Sequence, residues 1–147
     1  MRRFRGARLR VLNIDFCRLS AAGFKALVEA AWPALTILSA RRAAVESDGP
    51  HALGAAAFAG FPALEELDLS FVPLREAGAA RLAGRRWVRL RRLCLRYARL
   101  FDAGVAALAR GAWPALERLD MSANGLSARL TFAAARRWAS ALVELKQ

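Results

Sequence analysis

One leucine phrase recurs six times along this chain at nearly constant spacing. It reads Leu9-x-x-Leu12-x-Ile14, Leu35-x-x-Leu38-x-Ala40 and Leu64-x-x-Leu67-x-Leu69. It continues as Leu90-x-x-Leu93-x-Leu95, Leu116-x-x-Leu119-x-Met121 and Leu142-x-x-Leu145. The first leucines step by 26, 29, 26, 26 and 26 residues. A unit this short cannot bury its own apolar edge, so the period implies stacked copies sharing one continuous core.

Other positions keep the register. Ten residues after each first leucine stands Leu19, Val45, Leu74, Leu100 or Leu126. Four further on are Gly23, Gly49, Gly78 and Gly104, with Leu130 in the fifth unit. Trp32, Phe61, Trp87 and Trp113 precede the next phrase by three residues, which marks them as core wedges. Trp138 is one residue out of step, and the second unit carries its three extra residues between Leu53 and Phe61.

Within each phrase the second and third apolar residues are two apart, so both face one side of a strand. Helices are expected to start at Ser20, at Asp48 with Pro50, at Asp102 and at Ser127, which carry capping chemistry. Leu27, Leu53, Leu82 and Leu108 turn an apolar helix side inward. The repeated glycines are expected where a Cβ finds no room. Pro33, Pro62 and Pro114 stop the helices and return the chain to the next strand.

From Leu9 to Leu145 the sequence resembles the leucine-rich-repeat family. Its units are similar to the cysteine-containing subtype found in F-box substrate receptors, and to the ribonuclease-inhibitor type. The best match runs from Leu90 to Leu108. The subtype's cysteine is kept at Cys17 and the family asparagine at Asn124; Ala43, Val72 and Ala98 replace them elsewhere. The resemblance implies an α/β solenoid of about five to six repeats, a right-handed superhelix or horseshoe arc. A parallel β-sheet would line the concave face and helices the convex face. Residues 1–8 form a basic tail before a repeat domain over 9–147. Because the sixth unit stops after one strand, the expectation is a fragment of a longer array, a domain docked on something, or a poorly capped short protein.

The chain has 147 residues and 24 Lys+Arg against 12 Asp+Glu, a net charge of +12. Only Lys25 and Lys146 are lysines, and heavy use of arginine with alanine can reflect nucleotide composition as well as function. Apolar runs fall short of the roughly 20 residues a bilayer span needs, and no signal-peptide apolar core follows Met1–Gly6. An arginine-rich start without acids before Asp15 leaves an organelle transit peptide as the minor reading. Cys17 and Cys94 fall on strands three apart, about 14 Å by strand spacing. Both are therefore expected as free thiols, which suits a reducing, cytoplasmic setting.

Stacking the strands in register builds rows across the sheet. The resulting face holds eight basic and seven acidic residues, leaving sixteen and five elsewhere. Opposite charges meet at Glu65 and Arg91, Arg91 and Glu117, Glu66 and Arg92, and Asp15 and Arg41. The near-neutral face argues against a nucleic-acid groove there. At the strand ends a column runs Phe16, Arg42, Phe71, Tyr97. Exposed aromatics and arginine are common interface anchors, although the column could also pack as core edge. The candidate partner-binding residues are Phe16, Arg41, Arg42, Asp68, Phe71, Arg96, Tyr97 and Asp120.

Enzyme chemistry finds no support. His51 is the only histidine, so no metal site is expected. Gly49-x-x-x-x-Gly54 lacks the lysine and Ser/Thr of a phosphate loop. Glu65, Glu66 and Asp68 face arginines that hold them ionised. No cofactor and no small-molecule substrate is expected. The expected function is a protein–protein interaction scaffold using the concave sheet and adjacent loops. By resemblance its sharper form is the substrate-recognition part of a ubiquitin ligase. The alternative is a basic adaptor that binds RNA or an anionic membrane through Arg81, Arg85, Arg86, Arg110, Arg136 and Arg137. The sheet alone offers on the order of 400 Å², against about 800 Å² per partner in a standard interface, so loops must contribute.

Overall fold

The computed structural model describes residues 8–43, 57–138 and 140–144. The elements in chain order are β1 (Val11–Asn13), α1 (Ala21–Glu29), β2 (Ile37–Ser39), β3 (Glu66–Asp68) and α2 (Arg75–Ala83). They continue as β4 (Arg92–Cys94), α3 (Phe101–Leu108), β5 (Arg118–Asp120), α4 (Ala128–Arg137) and β6 (Leu142–Glu144). The chain is thus α/β, and its six strands form one parallel sheet in sequential order. The helix start expected at Asp48–Pro50, with Gly49, Leu53 and His51, lies outside the described residues. So does all of the basic tail except Arg8.

Register follows the repeat. Leu12, Leu38, Leu67, Leu93 and Leu119 are successive cross-strand partners. The last four are at most 2% exposed. Leu35, Leu64, Leu90 and Leu116 form a second buried line, and Ala40, Leu69, Leu95 and Met121 a third. Each fully buried leucine contributes about 1.5–3 kcal/mol, so the lines dominate the core. The ladder runs past the short strands: the amides of Phe16, Arg42, Phe71 and Tyr97 donate to the carbonyls of Arg41, Ser70, Arg96 and Ser122 at 2.7–3.2 Å. The strand ends are therefore held as firmly as the strands.

The recurring aromatics behave as wedges. The indole N–H groups of Trp32, Trp87 and Trp113 each donate to the carbonyl five residues back, on Leu27, Leu82 and Leu108, at 2.9–3.0 Å. Trp87 and Trp113 stack with planes 4° apart. Phe61 is buried, while Trp32 and Trp113 are partly covered.

One helix start differs from expectation. Ser20 and Ser127 cap α1 and α4 through their hydroxyls, accepting from Gly23 and Leu130 N–H. Asp102 does not cap α3. It sits inside the first turn, because Leu100 and Leu74 precede α3 and α2 in helical conformation. Its carboxylate instead accepts the N–H of Ser127 at 2.9 Å, tying α3 to the start of α4. That hydrogen bond holds the Asp102 carboxyl below its usual range.

The glycine expectation holds for two units. A Cβ on Gly78 or Gly104 would sit 3.0 Å from the side chain of Leu74 or Leu100, whereas Gly23 has ordinary room. The tightest glycine is outside the pattern: a Cβ on Gly60 would collide with the carbonyl of Ala30.

The last strand is a correction. The repeat puts Leu145 opposite Leu119 and Glu144 opposite Arg118. In the fold Leu119 pairs with Val143 and Asp120 with Glu144, a shift of two residues. One residue is lost before Trp138, which follows Trp113 by 25 instead of 26. The other is lost after it, where β6 begins four residues on instead of five. The turn into the strand still closes, with Ala141 N–H on the Trp138 carbonyl. The cost falls on the buried Trp138 indole N–H, which has no partner among the described residues.

Candidate partner-binding surface

The C-terminal ends of β1, β3 and β5 are shaped by a short polar turn. Asn13, Asp68 and Asp120 each accept, through one side-chain oxygen, the backbone N–H two residues on, at 2.8–2.9 Å. This fixes both aspartates. Their second oxygens face an arginine of the preceding strand: Arg41 reaches Asp68 at 3.8 Å and Arg96 reaches Asp120 at 3.7 Å. Four of the eight expected residues thus form two equivalent diagonal pairs. The expected ion pair of Asp15 with Arg41 does not form. Asp15 accepts the backbone N–H of Arg41 and the hydroxyl of Ser39, which leaves the guanidinium to Asp68.

Lower on the face, Arg91 and Arg92 choose different neighbours. Arg91 donates to Glu117, 2.8 Å from its Nε, and Arg92 to Glu66 at 3.1 Å. Glu65, expected to share Arg91, adds only weaker charge attraction. The hydrogen bond to Glu117 comes first in holding Arg91 protonated.

The other four expected residues make a different surface. Phe16, Arg42, Phe71 and Tyr97 stand in one column with Ala123, and all five take positive φ, between 49° and 61°. None is glycine, the residue that tolerates this conformation best. Phe16 is 61%, Phe71 39% and Tyr97 50% exposed. Phe71 and Tyr97 stack at 4.8 Å with planes 13° apart. They are therefore surface rings and not core edge.

These residues line an open groove of about 840 Å³ along the C-terminal rim. Its lining adds Arg18, Pro73, Arg99, Phe101 and the stretch from Ala123 to Gly125. Sequence reasoning passed over Arg18, Arg99 and Phe101. The signal was present: Arg18, Pro73, Arg99 and Gly125 share one repeat position two residues beyond the column. Arg18, Arg99 and Phe101 also take positive φ, and Phe101 is 55% exposed. Among the described residues no carboxylate lines the groove. The near-neutral character of the sheet face therefore does not extend to its rim.

Asn124 anchors the groove's far end. Its amide nitrogen donates to the carbonyls of Leu95 at 2.7 Å, Met121 at 2.8 Å and Ser122 at 3.3 Å. Its oxygen accepts the N–H of Leu100 at 3.1 Å. At the equivalent position Ala43, Val72 and Ala98 are buried and apolar, and Cys17 is exposed in the loop after β1.

Both cysteines are free. The Cys94 thiol is pushed up to about 11, first by burial and then by the Asp68 and Asp120 charges on either side. It stays protonated and poorly nucleophilic at neutral pH. Among the described residues no cluster of three or more His, Cys, Asp or Glu could hold a metal, and no helix is long and apolar enough to cross a membrane. On the helix side, Arg85 donates to the carbonyl of Ala57, and Arg137 to those of Ala109 and Gly111. Two of the six helix-side arginines thus tie neighbouring units together. No protein-family model matches the chain, and no curated protein is found similar to it.

Proposed function

We propose that the chain is a leucine-rich-repeat solenoid that binds a partner protein through its sheet face and C-terminal rim. The sequential parallel sheet and the in-register leucine lines support the first half. The observation that carries the second half is the column Phe16, Arg42, Phe71, Tyr97. Four large side chains are held outward at backbone positions that strain any residue but glycine. Strain of this kind persists at sites where the side chain is used. Aromatic rings and arginine are also the side chains that most often carry interface energy.

The groove extends the usable surface beyond the flat strands, which alone are small for a standard interface. The competing reading, a basic adaptor acting through the helix side, is weakened because Arg85 and Arg137 serve intramolecular carbonyls.

The test is affinity purification from a cell extract with the intact chain and with the Phe71→Ala, Tyr97→Ala double variant. Protein partners that resist RNase and moderate salt, and that the double variant loses, are the expected result. Both rings are exposed, so the variant should keep its far-ultraviolet circular dichroism. Equal capture by the variant overturns the assignment of the column.

A further inference from the structure

We propose that the rim groove takes an extended acidic segment of a partner protein, its carboxylates on the groove's arginines and its apolar side chains against the rings. This rests on the protein-binding reading above and names the chemistry of the segment bound.

Charge is the first argument. On the sheet face Arg41, Arg91, Arg92 and Arg96 each hold a carboxylate of a neighbouring strand. In the groove Arg18 and Arg42 are exposed, and among the described residues neither makes an ion pair. Arg99 completes a lining that carries no acid among the described residues. Among the described residues, four sheet-face arginines are compensated by neighbouring carboxylates, whereas Arg18 and Arg42 at the rim are not. The complementary ligand is anionic.

Shape is the second. The column from Phe16 to Ala123 crosses five strands, about 19 Å at ~4.8 Å per strand. An extended peptide rises about 3.3 Å per residue, so roughly six residues fill that length. Acids at alternate positions would stand ~6.6 Å apart on one side of such a segment. The arginines come from the first, second and fourth units, at intervals of ~4.8 and ~9.6 Å, which long side chains bridge. The residues between the acids face the rings.

The rings and the adjoining face favour a peptide over the other common polyanion, single-stranded nucleic acid. Base binding uses ring faces as platforms. Here the facing surfaces of Phe71 and Tyr97 are occupied by each other at 4.8 Å, with no gap for a base between them. The adjoining face also carries Asp15, Glu65, Glu66, Asp68, Glu117 and Asp120. These acids stand among the face's own arginines, so no basic stripe continues beyond the rim for a polynucleotide to follow, whereas a short acidic segment stays within the rim.

The experiment is fluorescence anisotropy on the whole chain with three labelled probes. They are the peptide (Glu-Leu-Glu-Ser)3, its lysine counterpart (Lys-Leu-Lys-Ser)3, and a twelve-nucleotide oligouridylate. The acidic peptide is expected to bind at least 10-fold more tightly than either other probe, and at least 5-fold more weakly in 300 mM than in 50 mM salt. Arg18→Glu with Arg42→Glu should weaken it at least 10-fold. Both positions are exposed, and Arg18→Gln with Arg42→Gln, expected to give a smaller loss, covers the case in which charge reversal disturbs folding. Preference for oligouridylate would assign the groove to nucleic acid and overturn the proposal. So would equal binding of the lysine peptide, or no binding by any probe. A natural partner captured equally by the chain and the charge-reversed variant would leave protein binding standing and sink the acidic segment alone.

Discussion

On the body of the sheet several arginines hold a carboxylate of a neighbouring strand, as Arg92 holds Glu66 and Arg96 holds Asp120. One or two residues further along the same strands the pattern changes. The backbone turns left-handed, four large side chains stand outward, and Arg42 has no carboxylate beside it among the described residues. The first strip spends its charge on holding neighbouring strands in register. The second carries positive φ angles and leaves Phe16, Arg42 and Tyr97 exposed, which on the reading proposed above makes them available to a partner. Reading the sheet as one surface hides this, because its average is close to neutral.

The comparison breaks most decisively at Asn124, a buried polar side chain that supports the rim from inside. Asn124→Ala removes four hydrogen bonds and leaves the Leu100 N–H and the Leu95 and Met121 carbonyls short of a buried partner. Orphaned buried groups cost about 1–3 kcal/mol each when unrelieved, so a total loss of roughly 2–4 kcal/mol is expected in urea unfolding. A loss below about 1 kcal/mol would mean that water replaces the side chain and that the rim needs no internal anchor.

The strain itself is the next point of attack. Phe71 pairs a left-handed backbone, φ 61°, with a ring stacked on Tyr97. Phe71→Ala and Phe71→Gly both delete the stack, but only glycine relieves the backbone. The glycine variant should therefore unfold about 1 kcal/mol later than the alanine variant, the reverse of the order at ordinary strand positions. Alanine equal to or better than glycine would show that the column is not strained, and would remove one support for its functional reading.

Much of this was legible beforehand for a physical reason. The buried leucine lines, the wedge aromatics and the serine caps each depend on one residue type recurring at one position. Periodicity reports that directly. The column Phe16, Arg42, Phe71, Tyr97 was legible in the same way. The register of β6 was not, because it depends on where Trp138 ends its helix, and a single lost residue on each side slid the strand by two. Asp102 was misread as a cap because its partner, Ser127, lies in the next unit. The left-handed backbone of the column, and Arg18 and Arg99 of the groove, were missed because a row-by-row charge count contains no backbone angles and no loops.

The smallest expected effect concerns the sheet face alone. Arg92 and Glu66 sit opposite one another in the register of β3 and β4, with side chains 57% and 39% exposed. Water screens such a pair and ordering two long side chains costs entropy, so its coupling should be only about 0.2–1 kcal/mol. A double-mutant cycle of Arg92→Ala and Glu66→Ala, read by urea unfolding at low and high salt, measures it. If the face pairs chiefly serve register, the coupling will shrink with salt and neither variant will change binding of the acidic peptide at the rim. A coupling well above this range would mean the face is more rigid than its exposure implies. Loss of peptide binding in either variant would mean that face and rim act as one surface, and the division drawn between them would fail.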